Sequence, residues 1–130
     1  MKKAIFLDRD GTLNVDVGYL HQLKDLELFP WTVDALRLLK RAGYELIIVT
    51  NQSGLAQGLI APGFVEICHD EMRRRLQAGG ADLDALYYCP HHPRGSVAGL
   101  SVDCRCRKPS PGMIDNAVRD RGIDPKASWV

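Results

Sequence analysis

The sequence predicts an α/β fold, a Rossmann-like parallel sheet with helices on both faces. Short apolar runs, typical of strands buried in a parallel sheet, alternate with longer segments of helical periodicity. Strands joined in this way are connected by right-handed crossovers. Polar side chains follow the apolar runs directly, where ligands of open α/β sheets bind. The 130 residues suit one domain, residues 1–130.

The first predicted strand is the apolar run of residues 4–7, followed at once by two aspartates. Asp8 and Asp10 are two residues apart, so in extended backbone their side chains project to the same side. Gly11 then allows a sharp turn. Residues 14–27 lack periodicity, and we expect a loop or flap that overhangs the end of this strand.

The next elements are a helix and a strand. Thr32 is placed to cap the helix, whose apolar residues recur at helical spacing and which ends at Gly43. The second strand is predicted over residues 45–49. The short polar side chains of residues 50–54 follow it, so we expect this segment at the ligand-binding edge of the sheet.

The second half of the chain continues the alternation. We predict a helix over 64–76, a strand within 83–88, a loop over 89–107, a helix over 111–121 and the opening of a fourth strand at 128–130. One face of the 64–76 helix contains Val65, Cys68, Met72 and Leu76. Cys68 is therefore expected to be a small apolar core residue.

Composition excludes several classes of partner. Lys and Arg number 17 against 16 Asp and Glu, so the net charge of +1 gives no electrostatic signature of nucleic-acid or anionic-membrane binding. No apolar run approaches the ~20 residues of a membrane span. The N-terminus lacks the apolar core of a signal peptide. We expect a cytoplasmic monomer that acts on a small molecule.

Four side chains at the predicted strand ends and loops suit phosphoryl transfer. A transferring phosphoryl group carries spread negative charge, so its transfer needs a nucleophile, a cation and hydrogen-bond donors. Asp8 would attack phosphorus and form an aspartyl-phosphate, while Asp10 would protonate the leaving alkoxide and then activate water. Thr50 would hold a phosphoryl oxygen, and Lys108 would pair with the phosphate and with Asp8. Mg²⁺ would screen the repulsion between carboxylate and phosphate.

A second constellation predicts a structural zinc site. Cys89 and His91 are followed, after a twelve-residue gap, by Cys104 and Cys106, a closed set of three sulfurs and one imidazole. His92 is an alternative ligand, but His91 shares the face of Cys89 in extended chain. Free thiols in a reducing cytosol are the other interpretation. Zinc here would rigidify the loop that ends in Arg107 and Lys108.

The segment Asp8-Arg9-Asp10-Gly11-Thr12 resembles the first motif of the haloacid dehalogenase-like phosphatases. In that family the first aspartate is the nucleophile and the second is the general acid and base. Thr50 and Lys108 resemble the second and third motifs. Within the histidinol-phosphatase-related branch, the whole chain resembles the heptose bisphosphate phosphatases, and the matching segments are residues 8–14, 18–19, 50–54, 88–93 and 104–109.

This resemblance implies an activity and a substrate site. The activity is Mg²⁺-dependent removal of the 7-phosphate from a heptose 1,7-bisphosphate, a step towards the activated heptose of surface lipopolysaccharide. The Asp8 carboxylate and the Asp10 main-chain carbonyl would hold the Mg²⁺. Arg107 would meet the distal phosphate or the sugar. The other residues implied to line the site are Asp16, Val17, Gly18, Tyr19, Asn51, Gln52 and Ser53.

Three alternatives remain at this point. Histidinol-phosphate phosphatases share the first motif and the zinc cluster, but they look different at residues 51–54 and have a shorter metal loop. Receiver domains also gather acidic residues, a threonine and a lysine, yet their phosphorylated aspartate stands where this chain has Thr50. The family's fourth motif, an acidic segment after the fourth strand, lies beyond Val130. We therefore expect a truncated phosphatase domain of weak or no activity, or a non-catalytic phosphate-binding module; the intact Asp8 and Asp10 favour the former.

Overall fold

The computed structural model describes residues 1–130, and a three-stranded parallel sheet forms its centre. Leu7 pairs with Ile48, and Asn51 pairs with Cys89, so the carboxyl ends of all three strands meet at one edge. The strands, in their order across the sheet, are β1 (Ala4–Leu7), β2 (Glu45–Asn51) and β3 (Ala85–Cys89). The predicted α/β fold is confirmed.

Helices cover both faces of the sheet. They are α1 (Thr32–Arg41), α2 (Phe64–Ala78) and α3 (Gly112–Arg121), with short 3-10 turns at Leu23–Asp25 and Pro125–Ala127. One apolar core, of 15 buried residues, includes side chains of α1 and α2, and the other, of eight, includes side chains of α3. No helix combines the length and apolar composition that crossing a membrane requires.

Strand β2 is central, and its side chains divide between the two cores. Leu46 and Ile48 belong to the core under α1 and α2, while Ile47 and Val49 belong to the core under α3. All four are at most 2% exposed. Strands covered on both faces have continuous apolar sequences, which explains why this run carries no alternation.

The start of α1 differs from the sequence prediction. Thr32 does not cap the helix: it is the first helical residue, Trp31 occupies the cap position, and no side chain makes the cap hydrogen bond. The hydroxyl of Thr32 instead donates to the main-chain oxygen of Leu13, at 2.7 Å, within the buried interior. Gly43 follows the helix end with φ of +91°, as predicted for a helix terminator.

The segment predicted as a flap is anchored at both ends. Leu20 and Leu26 are buried in the larger core, and Asn14 forms an antiparallel bridge with Leu28. The tip, residues 16–19, is exposed, and so are residues 21–24. Sequence periodicity missed these contacts because the two leucines lie in irregular backbone.

Residues near the C-terminus run beside the free edge of β1. The main-chain N–H of Trp129 donates to the Ala4 oxygen at 2.9 Å, and the N–H of Phe6 donates to the Trp129 oxygen at 2.8 Å. The predicted opening of a fourth strand is thus present as a single parallel bridge between Ile5 and Trp129.

Candidate active site

Asp8 and Lys108 form an ion pair at the carboxyl edge of the sheet. Lys108 Nζ lies 3.1 Å from Asp8 Oδ1, which also accepts the main-chain N–H of Arg9 at 2.8 Å. Asp8 Oδ2 accepts no hydrogen bond within the chain. The Asp8 side chain is 47% exposed and that of Lys108 is 31% exposed, so solvent screening makes the pair a weak contributor to stability. Its arrangement leaves one carboxylate oxygen open to a ligand.

The end of β2 fixes the backbone of Lys108. The Asn51 amide donates to the Lys108 main-chain oxygen at 3.2 Å, and its carbonyl accepts the Lys108 N–H at 2.9 Å. Both ends of the Asn51 side chain, which the resemblance places at the substrate site, therefore hold the loop that carries the lysine.

Asp10 is held by four hydrogen bonds. Oδ1 accepts from Arg9 Nε and from Asn14 Nδ2, both at 3.0 Å, while Oδ2 accepts from Arg9 Nη2 and from Gln52 Nε2, both at 3.1 Å. Because donors contact both oxygens, the plane of the carboxylate is fixed. The main-chain oxygen of Asp10 accepts no hydrogen bond from the chain.

Gln52 connects Asp10 to Thr50. Its amide nitrogen also donates to Thr50 Oγ1 at 3.0 Å, and its carbonyl oxygen accepts from Arg9 Nη2 at 3.1 Å. Gln52, predicted to line the substrate site, is 4% exposed, and its amide group is engaged by Asp10, Thr50 and Arg9. Thr50 is also buried, and its own hydroxyl hydrogen makes only a long contact of 3.5 Å to the Asn51 oxygen.

Sequence reasoning missed two residues beneath the site, Arg9 and His69. Arg9 is fully buried, and its Nη1 lies 3.3 Å from His69 Nε2. Burial, followed by the nearby Arg9 cation, lowers the pKa of His69 to about 4. The ring is therefore neutral near pH 7, and its Nε2 accepts the hydrogen bond.

Both residues left a signal in the sequence. Arg9 alternates with Asp8 and Asp10 in extended backbone, so it must project to the opposite side, into the protein. His69 follows Val65 by four residues on α2 and therefore shares the buried face of that helix.

The tip of the flap lies against the turn after β2. Asp16 accepts the Gly18 N–H at 2.9 Å, in a turn where Gly18 has φ of +86°. The ring of Tyr19 packs on Gly54, whose Cβ, if present, would lie 2.9 Å from it. Val17 at this tip is 48% exposed, so it is free of core contacts. The tip is thus fixed beside the segment that contains Ser53.

Two further predicted residues keep their polar groups free. Ser53 is partly exposed and its hydroxyl makes no hydrogen bond within the chain. The Arg107 guanidinium, also partly exposed, makes no ion pair within the chain, although Arg107 immediately precedes Lys108. Such groups are available to a polar or anionic ligand.

The four predicted zinc ligands converge. Ligand atoms of Cys89, His91, Cys104 and Cys106 all lie within 4.8 Å of one another. Cys104 Sγ is 3.5 Å from both other sulfurs, and His91 Nδ1 is 3.3 Å from Cys106 Sγ. His92 is outside the set, since its Nδ1 accepts the Arg94 N–H.

This donor set fits zinc. Burial raises the pKa of the Cys89 thiol, and a bound cation would offset that cost by stabilising the thiolate. Three sulfurs and one imidazole complete a tetrahedral shell with no position open for water, so the zinc would be structural. Cys68, in contrast, is fully buried in the apolar core, as predicted.

The largest surface cavity lies elsewhere. It encloses about 490 Å³ near the amino ends of the strands, where Lys40 pairs with Asp84 at 2.8 Å. None of the motif residues reaches this cavity. The candidate active site is therefore the carboxyl edge, where Asp8, Asp10, Thr50 and Lys108 are brought together.

The chain is similar to bacterial phosphatases along its whole length. No family model matches it. It is 46% identical over 130 residues to the D-glycero-beta-D-manno-heptose-1,7-bisphosphate 7-phosphatase of Pasteurella multocida, and covers 70% of that protein. It is 47% identical over 127 residues to the proteins of the same name from Yersinia pestis and Escherichia coli K12, of which it covers 68% and 66%.

Solved structures show the same fold. A putative phosphatase of the haloacid dehalogenase type from Mesorhizobium loti superposes with a TM-score of 0.91 at 34% identity, over 98% of this chain and 61% of that one. The D,D-heptose 1,7-bisphosphate phosphatase of B. bronchiseptica, complexed with magnesium and phosphate, gives 0.79 at 36% identity, over 95% of this chain. The chain spans 65% of that structure, somewhat under two thirds of its length.

Proposed function

The chain belongs to the family of D-glycero-β-D-manno-heptose 1,7-bisphosphate 7-phosphatases, and from this membership we propose that it hydrolyses the 7-phosphate of that heptose bisphosphate. The observation that carries the proposal is the 3.1 Å contact between Lys108 and Asp8, next to the firmly held Asp10. Heptose is a precursor of lipopolysaccharide, so the reaction would serve surface polysaccharide synthesis.

The first chemical step forms a covalent intermediate. Asp8 Oδ2, free of hydrogen bonds, attacks the phosphorus of the 7-phosphate, and the bond from phosphorus to the sugar oxygen breaks. Asp10, in its protonated form, gives its proton to that oxygen as it leaves. Lys108 and the Thr50 hydroxyl stabilise the negative charge spread over the phosphoryl oxygens.

The second step releases phosphate. Asp10 is now ionised, and it accepts a proton from water as the water attacks phosphorus. The bond from phosphorus to Asp8 breaks, so that inorganic phosphate leaves and the Asp8 carboxylate is restored. Asp10 returns to the protonated state that the next cycle needs.

The residues present fit a magnesium ion. The Asp8 carboxylate and the Asp10 main-chain carbonyl are oxygen ligands of the kind Mg²⁺ binds, and the carbonyl is unused by the chain. When bound, Mg²⁺ neutralises part of the charge on the phosphate. The flap tip and Arg107 would contact the sugar and the distal phosphate.

We also propose a cytoplasmic location and a monomeric state. The support for the location is the set of four cysteines, none of which forms a disulfide. Thiols persist, and bind zinc, in reducing compartments. Sedimentation at several concentrations would test the monomeric state.

The experiment that tests the function is phosphate release in the presence of Mg²⁺. The substrates are the β and α anomers of D-glycero-D-manno-heptose 1,7-bisphosphate and, as the second candidate, histidinol phosphate. We expect release from the heptose substrate, fastest for the β anomer. Release from histidinol phosphate alone would assign the chain to the second candidate, and no release from any substrate would favour a phosphate-binding role.

A further inference from the structure

We propose that Arg9 and His69 are positioning residues for the proposed reaction: through Arg9, His69 holds the Asp10 carboxylate in the orientation that proton transfer requires. The inference rests on the proposed function, because Asp10 is the group that moves the proton. The Arg9 side chain is fully buried and His69 is 7% exposed, so both lie beneath the surface at which a substrate would bind.

Every N–H of the Arg9 guanidinium has a partner. Nε and Nη2 donate to the two oxygens of Asp10, and Nη2 also donates to Gln52 Oε1. Nη1 faces His69 Nε2 at 3.3 Å and the Cys68 sulfur at 3.9 Å. A side chain with five satisfied donors has one arrangement, so the plane of the guanidinium is fixed.

A charge at this place is costly for stability. Arg9 is 0% exposed, and Asp10 is its only acidic partner. Apolar side chains can replace buried ion pairs without loss of stability, so the pair itself is weak grounds for a structural role. The bidentate contact does, however, fix both the distance and the plane of a carboxylate. The geometry therefore points to Arg9 as the residue that orients the Asp10 carboxylate.

His69 supplies the acceptor on the far side of Arg9. The ring is 7% exposed on the buried face of α2, with the edge of Tyr88 against it at 6.1 Å between centroids. Without this acceptor, Nη1 would face only the distant Cys68 sulfur. A buried charged donor that loses its partner shifts towards another one, and Arg9 would carry Asp10 with it.

The variant His69→Leu removes the acceptor and keeps the apolar volume of the site. We expect kcat for the heptose bisphosphate to fall roughly 10- to 100-fold, the size of effect that misplacing a reacting group by about 1 Å produces. KM should change less than about twofold, because the phosphate contacts remain. His69→Gln, whose amide oxygen can accept from Arg9, should restore most of kcat.

A double-mutant cycle separates positioning from general damage. The wild-type chain, His69→Leu, Asp10→Asn and the double variant are compared with p-nitrophenyl phosphate, whose leaving group departs without a proton, so that the Asp10→Asn rate stays measurable. If His69 acts through Asp10, the double variant is no slower than Asp10→Asn alone. Losses that multiply would overturn the inference. Should His69→Leu fail to fold, Arg9→Lys takes its place, since a lysine cannot span both carboxylate oxygens.

A structural readout keeps this inference distinct from the proposed function. Absence of turnover by the wild-type chain would count against the phosphatase proposal alone. In that case crystal structures of the wild type and His69→Leu decide the inference: displacement of the Asp10 carboxylate from Gln52 and Asn14 supports it. An unmoved Asp10 would contradict it.

Discussion

The two oxygens of Asp8 have different surroundings, and this difference gives the carboxylate its proposed role. Oδ1 forms the ion pair with Lys108 and accepts the Arg9 main-chain N–H, whereas Oδ2 is free. A free oxygen on a carboxylate that is otherwise fixed can attack without first breaking a hydrogen bond.

Asp8→Asn tests this role directly. The change is nearly isosteric and removes the nucleophile, so we expect phosphate release to fall to background while the free energy of unfolding changes by less than ~0.5 kcal/mol, as at other exposed sites. Urea unfolding and phosphate assays measure the two quantities. Asp70→Asn, at an exposed position on α2, is the matched control. Retained turnover in Asp8→Asn would refute the assignment.

His69 predicts how stability depends on pH. Its pKa is about 4 in the folded chain and near 6.5 when unfolded. Between pH 4 and 6.5, therefore, His69 is protonated in the unfolded chain and neutral in the folded chain. The free energy of unfolding should therefore fall as pH drops from 6.5 to 4, by at most about 3 kcal/mol. It should not depend on His69 above pH 6.5.

Urea unfolding at a series of pH values checks this expectation. His69→Gln should flatten the curve between pH 4 and 6.5, whereas His21→Gln, at an exposed position, should leave it unchanged. An equal slope in the wild type and in His69→Gln would show that other groups set the acid sensitivity.

At the scale of elements, the four predicted zinc ligands lie at the two ends of the loop between β3 and α3. The four ligands come from two short segments, residues 89–91 and 104–106, and between them they close the base of the loop. Lys108 stands two residues beyond the last ligand. We infer that zinc fixes the loop and, through it, the cation of the active site.

We expect about one zinc per chain. Cys104→Ser and Cys106→Ser should each lose the metal and lower the melting temperature, because a structural zinc contributes folding free energy. Elemental analysis and thermal unfolding measure both effects. Cys68→Ala, which removes the one cysteine outside the cluster, should keep the zinc. Purified protein without zinc would contradict the prediction.

The first residue of α3 packs closely against the backbone of the same loop. The Gly112 N–H donates to the Arg105 main-chain oxygen at 2.8 Å, and a Cβ on Gly112 would overlap that oxygen. Gly112→Ala should destabilise the chain by about 1 to 3 kcal/mol, the usual result of overpacking, because backbone cannot move aside as a side chain can. Chemical denaturation measures the loss.

A matched glycine provides the control for that substitution. Gly43→Ala also introduces a methyl group, but it meets only the flexible end of Lys3. Its loss of stability comes instead from the backbone strain of alanine at a φ of +91°. Because Gly43 does not contact the metal loop, zinc should stay bound. If Gly112→Ala also kept its zinc affinity unchanged, the contact between helix and loop would be unimportant for the metal.

Across the whole molecule, the sheet divides the chain into two cores, with β2 between them. Such a strand can exchange its amide hydrogens only when both cores open. We expect the slowest exchange over residues 46–50 and the fastest at the exposed flap tip, residues 16–19, in hydrogen-exchange mass spectrometry. Chelation of zinc should speed exchange in residues 104–108 and spare 46–50. Uniform exchange along the chain would contradict this layout.

The order of strands and helices was predictable from the sequence because apolar runs and helical periodicity reflect burial directly. The meeting of Asp8 and Thr50 was also predictable, since both stand at the carboxyl ends of neighbouring strands. Lys108 lies in the loop before α3, and its place beside them followed from the family resemblance. The hydrogen bonds of Thr32, Asn51 and Gln52 were not predictable. Each of these side chains pairs with a residue remote in sequence. The sequence alone does not distinguish such a partner from the expected role, which is a helix cap for Thr32 and a substrate contact for Asn51 and Gln52.

Asn51 holds the backbone of Lys108, and the metal ligands Cys104 and Cys106 lie just before it in the chain. Residues 92–103 lie between the two pairs of ligands. Within 92–103, the N–H groups of Ser96 and Val97 donate to the Ala56 oxygen, and Leu100 packs on the larger core. Exchanges at the exposed residues 93–94, 98 and 102–103 could therefore alter which substrates the enzyme accepts without displacing Lys108. These positions are where we would place sequence diversity in a library that seeks new sugar phosphate substrates.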